Sequence, residues 1–176
     1  MKFFKVLSII LIVCVVIFIA VGIFLPKTST LERNYVLNAP PLLIQNEILE
    51  LYNNHLWPIW NTEDTSIVFT PLENGGGYRW EGKQVAYGEC RYSLGVDFTI
   101  YDYISFRGEE MAETVWRLEG ADPVKLHFEL TIFAGQSLGA RWTNLFIDRM
   151  IGIEIDRMIA DIKDDLESDG LKPDTP

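Results

Sequence analysis

The chain has 176 residues, of which 15 are basic and 25 acidic, giving a formal net charge of −10. Only Lys2 and Lys5 are charged before Lys27, so the chain beyond residue 25 carries 13 bases against 25 acids, a charge of −12. Such an excess argues against nucleic acid as a partner, whose binding draws on Lys and Arg at phosphates, and against a domain lying flat on an anionic lipid surface.

Val6 to Leu25 reads VLSIILIVCVVIFIAVGIFL, without a charge. Twenty helical residues rise about 30 Å, the thickness of a bilayer's hydrocarbon core. Its sixteen Val, Ile, Leu and Phe residues contribute roughly −5 to −10 kcal/mol to insertion. Pro26 ends the helix. Lys2 and Lys5 before the run favour an amino terminus in the cytoplasm and a domain outside, periplasmic or extracellular. A cleaved signal peptide is the competing reading, with Ala20-Val21-Gly22 as a small-residue cleavage site. The apolar run continues past that site through Ile23-Phe24-Leu25, which favours a retained, single-pass anchor. The expected organisation is an anchor over residues 1–26, one domain over 27–168 and a flexible tail over 169–176.

Lys27 to Thr30 reads as a short linker. Leu31 to Asn38 alternates as a first strand, and Asn38-Ala39-Pro40-Pro41 opens a helix over Leu42 to Tyr52. A loop containing Trp57-Pro58-Ile59-Trp60 follows. Six further strands are predicted over Ser66–Thr70, Tyr78–Glu81, Val85–Ser93, Phe98–Phe106, Met111–Leu118 and Val124–Phe133, joined by short turns such as Asn74-Gly75-Gly76-Gly77. Consecutive strands with short turns imply an antiparallel meander. Ile147, Ile151, Ile155, Met158, Ile159, Ile162 and Leu166 form one stripe of a long final helix. That helix is the element large enough to cover the sheet's apolar face. The fold class is therefore α+β: about seven curved antiparallel strands around a long C-terminal helix, behind one transmembrane helix.

Few residues suggest chemistry. Phe98, Ile100, Asp102, Ile104 and Phe106 share a strand face, which places Asp102 among apolar groups. A buried carboxylate without a partner has a raised pKa, so Asp102 is a weak candidate general acid. The alternative is a structural acid paired with a cross-strand Arg or Tyr. Trp57, Trp60, Trp80 and Trp116 read equally as cavity wall or as core. Glu89 reads as a solvated cross-strand partner of an Arg. A disulfide between Cys14 and Cys90 would have to link the membrane run to the domain, so none is expected, and neither Cys-x-x-Cys nor His-Glu-x-x-His occurs.

The order of elements resembles the helix-grip fold of the SRPBCC (START and birch-pollen-allergen-like) superfamily, and within it the membrane-anchored bacterial proteins described as polyketide cyclase-like. The residues that carry the likeness are the apolar head ending in Leu25-Pro26, Asn38-Ala39-Pro40-Pro41, Trp57-Pro58-Ile59-Trp60, Tyr78-Arg79-Trp80-Glu81-Gly82, and Leu145-Phe146-Ile147-Asp148-Arg149-Met150-Ile151-Gly152. Two departures stand out: Ile153 follows Gly152 where the pattern has Pro, and Asp97 to Arg107 is unusually aromatic. The resemblance implies a cavity for a hydrophobic small molecule or lipid, no cofactor and no common catalytic set. The wall it implies comprises Trp57, Trp60, Trp80, Phe98, Ile100, Asp102, Trp116, Phe128, Ile151 and Ile155, with no metal. Three functions fit: a ligand- or lipid-binding domain tethered to the bilayer through residues 6–25, a cyclase or dehydratase using Asp102, and an acidic protein-interaction module.

Overall fold

Alternation of apolar and polar side chains puts seven segments beyond the apolar head into one sheet. The computed structural model describes residues 2–58, 65–73, 75–84, 86–121 and 123–169. Helix α1 (Lys2–Phe24) comes first, then β1 (Thr28–Leu37), α2 (Pro41–Asn53), β2 (Val68–Pro71), β3 (Gly77–Glu81), β4 (Tyr87–Leu94), β5 (Ile100–Phe106), β6 (Glu109–Glu119) and β7 (Val124–Phe133). Helix α3 (Leu138–Asn144), a π-helical turn (Asp148–Gly152) and α4 (Ile153–Asp169) complete the chain. Phe3–Phe24 within α1 is long and apolar enough to cross a membrane, and almost none of it is buried against the rest of the protein.

The seven strands lie in the order β1-β7-β6-β5-β4-β3-β2. β2 to β7 form the expected antiparallel meander, and β1 closes one edge against β7. Period-two side-chain placement turns Ile100, Asp102 and Ile104 of β5, Thr114, Trp116 and Leu118 of β6, and Leu126, Phe128 and Leu130 of β7 inward, where all are buried. Ile155, Ile159 and Ile162 of α4 and Ile44, Ile48 and Tyr52 of α2 cover that face. This is a helix-grip arrangement: a long helix held against one face of an antiparallel sheet. Close packing at one point requires glycine. Gly88 pairs directly with Trp80, and any Cβ there would overlap the indole.

Three local expectations need correction. The linker over 27–30 is largely strand: Thr28 stands opposite Phe133, and Ala134 N donates to the Lys27 carbonyl at 2.7 Å. A long β7 supplies the partner that makes polar Thr28-Ser29-Thr30 extend, leaving Leu25 to Lys27 between α1 and the sheet. β5 begins at Ile100 rather than Phe98, because Asp97 and Phe98 have φ of 53° and 56°; the alternation is broken there, and Phe98 is 40% exposed rather than facing inward. The final helix is preceded by α3 and the π-helical turn. Ser137 caps α3, its Oγ accepting from Ala140 N at 3.2 Å. The π-helical turn ends at Gly152, immediately before Ile153 opens α4. Arg33 of β1 reaches across it to bind Asp148 and, at 3.3 Å, Asp156, with its guanidinium against Gly152.

Candidate functional site

Asp102 is fully buried at the centre of β5. The β-bulge in the β5–β6 pairing falls between Ile104 and Ser105, beyond Asp102, so its inward orientation is kept. Its closest partners come from α2 and the residues after it, beside Thr114 and Trp116 of the neighbouring β6. Tyr52 Oη donates to Oδ2 at 2.5 Å, Trp57 Nε1 approaches Oδ1 at 3.4 Å, and Trp116 Nε1 donates to Tyr52 Oη at 2.9 Å. All are neutral donors. Burial pushes the Asp102 carboxyl up to about 7, opposed by the bonds from Tyr52 and Trp57. Burial, then the Asp102 charge, also pushes the Tyr52 phenol well above its ordinary value and raises the Cys90 thiol. A carboxylate beside hydroxyl and indole donors, with no cation bonded to it among the described residues, is poised to be half protonated near neutrality.

The aromatic side chains around this cluster fill the grip. Trp57 meets Trp116 at 5.8 Å and Phe128 at 6.0 Å between ring centroids, and Trp116 meets Phe128 edge-on at 4.5 Å. Trp57, Trp80, Ile100, Asp102, Trp116, Phe128 and Ile155 thus come together as one buried cluster. Phe98 stands apart on the surface, and Trp60 lies outside the described residues. Ile151 faces a different space.

That space is an open groove of about 910 Å³ between α2 and α4. Its floor is Leu51, Ile151, Met158 and Ile162, with Leu56 and Met150 at one end. Glu47, Glu50, Glu154, Asp161 and Asp165 also line it. Among the described residues Arg157 is the one basic residue lining it, and its Nη1 is tied to Glu154 Oε1 at 2.7 Å. An apolar floor under a carboxylate rim suits an elongated amphiphile, with the apolar body seated and any cationic group at the rim. Of this groove, sequence reasoning placed only Ile151 in a ligand wall; Met158 and Ile162 it placed on the stripe that covers the sheet. The groove itself had no signal, because its floor is made by two helices a hundred residues apart, each of which spends most of its apolar stripe on the core.

Glu89 and His55 have ordinary structural partners. Glu89 binds its cross-strand neighbour Arg79 at 2.6 Å and Arg91 at 2.8 Å. His55 stacks on Phe69 at 4.2 Å, and burial lowers its pKa. Cys14 and Cys90 are both free. Among the described residues no three His, Cys, Asp or Glu side chains are grouped to hold a metal ion.

No family model matches the chain, and no curated protein matches it. Solved structures do share its fold. The di-domain aromatase/cyclase BexL from the BE-7585A biosynthetic pathway aligns with TM-score 0.52 and 18% identity, covering 79% of this chain and 46% of its own. The chain therefore spans less than half the length of that di-domain protein. The Zhui aromatase/cyclase from Streptomyces sp. R1128 aligns with TM-score 0.52 and 14% identity over 77% of this chain and 93% of its own. Norcoclaurine synthase from Thalictrum flavum, a point mutant with a transition-state analogue, aligns with TM-score 0.54 and 10% identity over 81% and 96%. At such identities the likeness is one of fold: the chain has the helix-grip fold of START-like SRPBCC proteins.

Proposed function

With the helix-grip fold as scaffold, we propose that this chain is a single-pass membrane protein, amino terminus in the cytoplasm, whose domain binds a hydrophobic small molecule or lipid. The observation that carries this reading is the α2–α4 groove, whose apolar floor of Leu51, Ile151, Met158 and Ile162 lies open beside a buried core. Apolar surface left open in a groove is a ligand site by default. Tethering by α1 keeps the groove within reach of a bilayer, the natural reservoir of an apolar ligand. The carboxylate rim favours an amphiphile with a neutral or cationic polar end over a fatty-acid anion, because like charges repel at close range.

The same fold serves aromatase/cyclases, so a cyclase is the rival. That chemistry needs an acid facing the ligand, and Asp102 is instead enclosed by Tyr52, Trp57 and Trp116. Its surroundings support a structural role. Native mass spectrometry of the full chain released from detergent tests the binding reading. One retained lipid or hydrophobe per chain is expected, exchangeable across a panel of neutral, amine-bearing and acidic amphiphiles. A chain that stays empty across the whole panel contradicts it.

A further inference from the structure

The outer surface of the stretch from α3 into α4 changes character along its length. Leu145, Phe146, Met150 and Ile153 recur at helical spacing, and each is about half exposed or more, Phe146 at 57%. Exposed Asp148 and Arg149 interrupt this stretch, Arg149 between Leu145 and Ile153, and from Glu154 onward the exposed positions are mainly polar, with Asp156, Arg157, Asp161, Lys163 and Asp164. The inner face, from Arg141 and Asn144 to Ile155, Ile159 and Ile162, is buried throughout. This stretch therefore carries a second apolar face, confined to its beginning.

That beginning packs directly on α1. The Trp142 ring stacks on Phe18 with centroids 4.6 Å apart and planes 5° from parallel. Gly22 allows the approach, since a Cβ there would lie 2.8 Å from Trp142 Nε1. Buried Arg141 donates through Nη1 to the Ile23 carbonyl at 3.0 Å, satisfying a last-turn carbonyl of a helix that has no basic residue of its own there.

Depth follows from helix geometry. A hydrocarbon core about 30 Å thick takes about 20 helical residues. A window of that length within Phe3 to Leu25 ends between Gly22 and Leu25, and the charge-free one, Val6 to Leu25, ends at Leu25. Phe18 then lies roughly 6 to 10 Å inside the boundary, and Trp142 stacked on it lies at the same level. An apolar helix face lying along a membrane sinks about 5 to 10 Å past the headgroup–acyl boundary, the same depth, and Trp is favoured near that boundary. We infer that α3 and the π-helical turn form a second membrane contact, with Trp142, Leu145, Phe146, Met150 and Ile153 seated just inside the headgroup–acyl boundary beside α1. The contact is mainly apolar, in keeping with a domain too acidic to be drawn to anionic lipid. Met150 also lines the end of the α2–α4 groove, so that end opens at the lipid surface. The inference rests on the reading of α1 as a membrane span.

Nitroxide depth measurement by power saturation, with oxygen and a nickel chelate as relaxers, separates the two claims. The full chain is reconstituted in phosphatidylcholine vesicles. Cys90 is buried with a raised thiol pKa, so the label goes to Cys14 in the natural chain and to the introduced cysteine in Cys14→Ser/Phe146→Cys and Cys14→Ser/Lys163→Cys. Lipid-type accessibility at Cys14 and at position 146, with water-type accessibility at 163, is expected. Lipid at Cys14 but water at 146 overturns the second contact while leaving the anchor standing. Water at Cys14 overturns the anchor and the inference with it. A label at 146 shielded from both relaxers and broadened by a second spin overturns the inference in favour of a contact between two copies.

Discussion

Replacing Asp102 by Asn keeps the side chain's shape and an acceptor for Tyr52 but removes the buried charge. The folded pKa is about 7 and the ordinary value 3.8. Below pH 4 the carboxyl is protonated in the folded and unfolded chain alike, and burial carries no ionic penalty. As the pH rises from about 4 to about 7, the unfolded chain releases its proton while the folded chain keeps it. Stability falls over that window by about 1.4 kcal/mol per pH unit and is level above it. The whole loss is about 4 kcal/mol, a large fraction of a typical domain's stability. Urea unfolding of the full chain in mild detergent, followed by fluorescence of Trp57, Trp80 and Trp116, measures it. Relative to the wild type, D102N gains stability steadily from pH 4 to pH 7, and the gain levels off at pH 8. A difference between the two proteins that stays flat from pH 4 to pH 8 refutes the reasoning, because it means the carboxylate is neutralised or solvated in the folded state.

Other outcomes follow from the same geometry. Tyr52→Phe removes the 2.5 Å donor to Asp102 and strands the Trp116 indole N–H; it costs about 2 to 4 kcal/mol and extends the upper end of the pH window of stability loss, its lower end staying at the unfolded-chain value, both read from urea unfolding across pH. Gly88→Val drives a branched side chain into the Trp80 ring and costs about 1 to 3 kcal/mol or more, seen as a lowered Tm, whereas Gly139→Ala, with open space around it, leaves Tm nearly unchanged. Met158→Glu places a carboxylate on the groove floor and weakens uptake of a fluorescent amphiphile about tenfold or more, since each tenfold is about 1.4 kcal/mol; an unaltered titration contradicts the assignment of the groove. Gly22→Leu pushes the Trp142 ring off α1 and lowers lipid accessibility at position 146 without altering it at Cys14.

Local pattern carried the sheet because each strand here buries one face. The alternation of Val124 to Phe133 names β7 to the residue, and the turns at Arg107-Gly108 and Gly120 bound β6. The same alternation turned Asp102 inward. It could not name Tyr52 as the partner, because that hydrogen bond joins α2 to β5 across 50 residues and depends on where the helix lands on the sheet. Phe98 misled because it continues the alternation while its backbone, with Asp97, takes positive φ in the turn before β5. α3 is short, and the polar pair Arg141 and Asn144 faces inward, so no apolar stripe marked it; Ser137, placed three residues before the amide of Ala140 that it caps, was the available signal. The contact of Trp142 with Phe18 joins residues more than a hundred positions apart and leaves no local trace.

Photolabelling in vesicles with a diazirine-bearing lipid, followed by peptide mapping of the full chain, tests the binding reading most directly. α1 is labelled in any case if it spans the bilayer. Saturable additional labelling on the peptides carrying Leu51 and Met158 to Ile162, competed by unlabelled amphiphile and lost in Met158→Glu, is the expected result. Labelling of α1 alone, or saturable labelling on the strands around Asp102 and Trp116 instead, contradicts a ligand site between α2 and α4.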